Sequence, residues 1–100
     1  MKKIRATVVN EVGLHARPAA LFVQSAGLYE CQIMVRNMTR GGDFVTAKSI
    51  LKVLGLGVQQ GHEIEISVSG EGEFEAAETL KTLVESDFQA LPDNLPPKND

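Results

Sequence analysis

Apolar and polar residues alternate from Lys3 to Val9, with Ile4, Ala6 and Val8 on one face. A period of two predicts a strand buried on one side and wet on the other. Asn10-Glu11-Val12-Gly13 forms a turn, and a helical pattern follows. Ala19, Phe22, Val23 and Ala26 recur at the spacing of one buried helix face. Pro18 fits the first turn, where its missing N–H would lack a partner anyway. The helix is expected from about Ala16, with His15 at its N-cap and Gly27 closing it. Cys31 to Arg36 predicts a second strand with Ile33 and Val35 inward. Asn37 to Asp43 forms a hairpin loop, and Phe44 to Thr46 a short strand at a sheet edge. Ala47 to Leu54 predicts a short helix with Thr46 as its cap and Ser49 in its first turn. Gly55-Leu56-Gly57 ends it. His62 to Val68 alternates most clearly, with Ile64, Ile66 and Val68 opposite Glu63, Glu65 and Ser67. A last helix is led by Gly70 to Gly72, with Glu71, Glu73 and Glu75 near its positive end. Its expected apolar stripe is Phe74, Ala77, Leu80, Leu83 and Val84. The pattern fails from Ser86. Residues 1–87 are expected to form one domain, with residues 88–100, rich in proline, as a flexible tail whose removal changes stability little. The order β-α-β-β-α-β-α predicts an α+β domain of two layers, a sheet with helices over one face.

Composition narrows the function. At 100 residues and 43% hydrophobic the chain can build one core. A net charge of −3 removes the basic footprint that nucleic acid or anionic lipid would need. No apolar run approaches the ~18 residues that would span a membrane. The basic start Met1-Lys2-Lys3-Ile4-Arg5 leads into no signal core, because Asn10 and Glu11 interrupt it. Cys31 is the single cysteine, which excludes an internal disulfide and fits a reducing compartment. A cytoplasmic location is expected, and the Asn37-Met38-Thr39 sequon is then a chance match.

The chemistry concentrates in Gly13-Leu14-His15-Ala16-Arg17-Pro18. An imidazole at a helix amino end lies beside N–H groups with no intrahelical partner, and those donors attract an anion. Arg17 adds a permanent charge in a fork that suits phosphate oxygens. A neutral imidazole is a nucleophile near pH 7. The segment therefore suits a site that accepts a phosphoryl group, with the Ala16 and Arg17 backbone holding its oxygens. The helix dipole contributes only about 0.3–1 kcal/mol at an exposed site, so such a group would be held without being trapped. The plainer alternative is a capping histidine next to a surface arginine. Ser49 is a second candidate, since an added phosphate at a helix start meets the positive dipole end; the alternative is an ordinary polar helix-start serine. Gly55-Leu56-Gly57 with Gly61 misses a dinucleotide-binding spacing, and there is no P-loop lysine motif. His15, His62 and Cys31 show no metal-ligand spacing. No cofactor or metal is expected, and a phosphorylatable histidine must then receive its phosphate from another protein.

Gly13-Leu14-His15-Ala16-Arg17-Pro18-Ala19-Ala20 resembles the active-site signature of the HPr family, the phosphocarriers of the bacterial phosphoenolpyruvate:sugar phosphotransferase system. Ala47-Lys48-Ser49-Ile50-Leu51 resembles the family's regulatory serine segment. Gly55-Leu56-Gly57-Val58, Gln60-Gly61 and Gly70-Glu71-Gly72-Glu73 follow its later pattern, so the similarity runs over roughly residues 3–86. The resemblance implies an open-faced β-sandwich, a four-stranded antiparallel sheet covered on one face by three helices. It implies a carrier rather than an enzyme, with His15 taking phosphate on Nδ1 from phosphorylated enzyme I and passing it to IIA domains of sugar permeases. Arg17 would stabilise the phosphohistidine. Ser49 would be the target of an ATP-dependent HPr kinase, slowing transfer and, in some bacteria, promoting binding to a catabolite-control transcription factor. Ala20, Ile50, Leu51 and Leu54 could form the docking surface. A monomer is expected, with neither nucleic acid nor membrane as a direct partner. A second role stays open, a regulatory module read through Ser49 without sugar transport, although related proteins of that kind lack the active histidine. The Asn37–Asp43 hairpin is about three residues longer than the family pattern by the His15–Ser49 offset. Residues 88–100 pass the usual end, and Gly55 stands where a serine or threonine is often found.

Overall fold

The alternating segments pair into one sheet. The computed structural model describes residues 1–92. Its elements are β1 (Lys2–Thr7), α1 (Ala16–Ala26), β2 (Gln32–Asn37), β3 (Val45–Thr46), α2 (Ile50–Leu54), β4 (Glu63–Ser69) and α3 (Glu73–Glu85). The four strands lie in the order β1-β4-β2-β3, and every pair is antiparallel. Register aligns the apolar sets: Ile4 faces Ile66, Ala6 faces Ile64, and on the other side Ile33 faces Val68 and Val35 faces Ile66. A slip of one residue would turn all of these to water, so burial of one face specifies the pairing. The three helices cover that face with Ala19, Phe22 and Ala26 of α1, Val53 of α2, and Ala76, Ala77, Leu80, Leu83 and Val84 of α3, all fully buried. The other face carries polar residues, among them Arg36 and its opposite number Glu65, whose Nε and Oε1 are 2.8 Å apart. This is the expected α+β architecture, a four-stranded antiparallel sheet with three helices on one side. No helix among the described residues is long and apolar enough to cross a membrane.

Several expectations change. Thr46 does not cap α2; Ser49 does, and its hydroxyl accepts the Lys52 N–H at 3.4 Å. The reason is that Ala47 is still tied to the sheet through its N–H to the Ile33 carbonyl at 2.9 Å. The Thr46 hydroxyl instead accepts the Lys48 N–H at 3.2 Å, so the helix cannot begin until Ile50. Gly27 caps α1 in place, but with φ −67°, so its left-handed freedom is not used. Phe74 leaves the expected stripe and is 68% exposed, with Lys2 Nζ 5.2 Å from its ring centroid. At 100° per residue Phe74 falls about 60° outside the arc defined by Ala76, Ala77, Leu80, Leu83 and Val84. Ala76, not expected, takes the buried place. Glu71 lies in the turn before α3, and only Glu73 and Glu75 stand in its first turn. Finally, Phe88, placed in the tail by its sequence neighbours, is buried in the core. The chain turns back after Ser86, and the Phe88 N–H reaches the Leu83 carbonyl at 2.8 Å. Residues 93–100, the rest of the expected tail, lie outside the described residues.

Candidate functional site

The turn between β1 and α1 is built to hold one conformation. Gly13 has φ +70°, and a Cβ there would stand 2.2 Å from the Val58 carbonyl oxygen and 2.7 Å from the Gln59 Cα. Only glycine fits a backbone pressed this closely in the left-handed region. Leu14 is buried next to it and donates its N–H to the same Val58 oxygen at 3.0 Å. With Gly13 and Leu14 pinned, the next residue must face outward.

His15 is that residue. It is exposed, and it is the N-cap of α1 with extended dihedrals (φ −126°, ψ 155°). Its ring makes no capping hydrogen bond, which counts against the plainer reading as a cap. The first intrahelical bond is the long Ala19 N–H to His15 carbonyl contact, 3.4 Å. The Ala16 and Arg17 N–H groups find no acceptor among the described residues, and Pro18 has none to offer. Two backbone donors and the positive end of an 11-residue helix therefore point to the same place. Arg17 is exposed and pairs with no carboxylate among the described residues. Ala16 carries φ +34°, a value that a residue with a Cβ adopts only under constraint. That strain sits between His15 and Arg17, and no sequence pattern announced it.

Ser49 lies at the start of α2, half-buried, its hydroxyl occupied as the helix cap. Of the expected docking residues, Leu51 is 79% exposed and Ile50 is 37% exposed, whereas Ala20 and Leu54 are half-buried. Helices α1 and α2 pack side by side, so His15, Ser49 and these apolar positions belong to the same two-helix layer. His62 takes a structural role: its Nδ1 accepts the Gln59 N–H at 3.1 Å and lies 3.2 Å from the Asn37 amide nitrogen. An acceptor at Nδ1 requires the neutral tautomer protonated on Nε2.

Residues 2–86 match the family described as the PTS HPr component phosphorylation site. The chain belongs to the HPr family. It is similar to phosphocarrier protein HPr of Treponema pallidum, 40% identical over 83 residues that cover 82% of this chain and 90% of the relative. A multiphosphoryl transfer protein of Haemophilus influenzae is 42% identical over 74 residues, which are 74% of this chain; the chain spans 15% of that relative's length. Among solved structures, HPr-C-His of Thermoanaerobacter tengcongensis superimposes with a TM-score of 0.81 at 44% identity, covering 88% of this chain and 96% of that one. Sequence reasoning missed Asn10 and Asp87, which bond to each other beside the site at 2.8 Å. Neither belongs to a motif, and they are 77 residues apart, so no local signal could have joined them.

Proposed function

We propose that this chain carries phosphoryl groups on His15, taking them from phosphorylated enzyme I and passing them to IIA domains of sugar permeases. The observation that carries this reading is an exposed imidazole at a helix mouth whose two neighbouring amides have no partner among the described residues. In the forward step the Nδ1 lone pair attacks phosphorus while the bond to the donor's leaving group breaks. The Ala16 and Arg17 amides and the Arg17 guanidinium then stand next to the charge that arrives. An exposed site lets the same atoms face a second protein, as a relay requires. Ser49 supports regulation of that relay. A phosphate on its hydroxyl adds about −1.5 to −2 charge in the same two-helix layer, which opposes the approach of a phosphorylated donor. A kinase that uses ATP would be its source, and a transcription factor that reads the phosphoserine its further partner.

Incubation with phosphoenolpyruvate and enzyme I should label the chain with an acid-labile, base-stable phosphate, and His15→Ala should abolish it. Labelling that survives in this variant overturns the assignment. Arg17→Gly should slow transfer markedly and leave the thermal midpoint nearly unchanged. Parallel losses of rate and stability would make Arg17 a structural residue.

A further inference from the structure

The turn that presents His15 is tethered by a residue beyond the family match. Asn10 donates from Nδ2 to Asp87 Oδ1 at 2.8 Å. The same Asn10 accepts the Val12 N–H on Oδ1 at 3.1 Å and the Gly13 N–H on its carbonyl at 3.0 Å. One side chain thus joins the turn before His15 to the end of α3. Asp87 lies just past residue 86, where the family match stops. Its backbone is held in an uncommon state: Asp87 has φ +56° and Phe88 has φ +62°. Consecutive left-handed residues with side chains are costly, and here the buried Phe88 ring and the Phe88 N–H to Leu83 carbonyl bond stabilise them. Asn10, Arg17, Pro18, Leu21, Asp87 and Phe88 line one cleft of about 270 Å³. The tether therefore borders the arginine assigned to hold the phosphoryl group.

We propose that Asp87 is a positioning residue for phosphoryl transfer, acting through Asn10 on the turn that sets His15 and the two free amides. The proposal rests on the reading of His15 as the acceptor. The turn is fixed on one side by Val58 and on the other by Asn10, so without Asp87 it can pivot about the Val58 contact. Small displacements of a reacting group are expensive, with about 1 Å costing on the order of 100-fold in rate.

The test uses the full chain and single-turnover transfer from phosphorylated enzyme I, at a temperature well below every thermal midpoint. Asn10→Asp keeps the oxygen that accepts the Val12 N–H and replaces the donor to Asp87 with a second carboxylate, a charge that the exchanged pair below takes away again. It should lower the maximal rate about tenfold, with the half-saturating concentration unchanged. Asp87→Ala, which leaves the Val12 cap intact, should slow transfer similarly. Adding Asp87→Asn to Asn10→Asp rebuilds the bond with donor and acceptor exchanged, and should restore the rate to within about twofold. Wild-type rates in folded Asn10→Asp and Asp87→Ala would overturn the proposal, as would a double variant that stays as slow as Asn10→Asp. A wild-type chain that takes no phosphate would instead overturn the His15 assignment, and the proposal with it.

Discussion

A single hydrogen atom decides the geometry at Gly13. Any larger side chain would place its Cβ 2.2 Å from the Val58 oxygen, in a backbone at φ +70° that already disfavours it. Gly13→Ala must therefore push the turn off the Val58–Gln59 segment or distort both. The expected loss is about 1–3 kcal/mol in denaturant unfolding, together with slowed transfer to His15. A fully stable variant would show that the two segments are free to separate. Asn37 is the opposite case, a polar residue 1% exposed and satisfied on every side. Its amide nitrogen is within 3.2 Å of the Leu56 carbonyl and of His62 Nδ1, and its oxygen accepts the Arg40 N–H at 3.2 Å. The hairpin after β2 is thus anchored at its base by one buried amide.

At the scale of elements, α2 separates two roles that a phosphate on Ser49 would combine. The serine caps the helix through the Lys52 N–H, and aspartate is as good an N-cap as serine. Ser49→Asp should leave the thermal midpoint within a few degrees of wild type while slowing transfer from enzyme I. An unchanged rate would remove the electrostatic account of the switch. The same helix was only partly legible in the chain. Ala47 and Lys48 read as helical because they are followed by an apolar run, but pairing of Ala47 with Ile33 delays the start to Ile50. By contrast α1 was legible to the residue, from His15 at its start to Gly27 at its end, because proline, glycine and a regular apolar stripe all act locally.

The whole molecule closes through its last described turn. Phe88 is 6% exposed and packs into the same core as Leu83 and Val84, so the body of the fold extends past Asp87. Phe88→Ala should cost about 3 kcal/mol, read as a lower denaturation midpoint with unchanged slope. Truncation after Asp87 should cost at least as much, because it removes the ring and the Phe88 N–H bond to Leu83 together. A truncated chain as stable as the full one would place the core boundary at Asp87 after all. Through Asn10 the same turn meets the site at the opposite end of the sequence.

The chain by itself determined what depends on near neighbours. Alternation decided three of the four strands and their buried face, 3.6-residue spacing decided the long helices, and Gly13 through Pro18 marked an imidazole at a helix mouth. Those properties follow from backbone periodicity and from residues in direct succession. Folding decided everything that needs two distant segments in contact: which strand lies between β1 and β2, why Gly13 must be glycine, where α2 begins, and which carboxylate holds Asn10. Such contacts depend on the packed positions of both partners, and a linear pattern carries information about only one partner at a time.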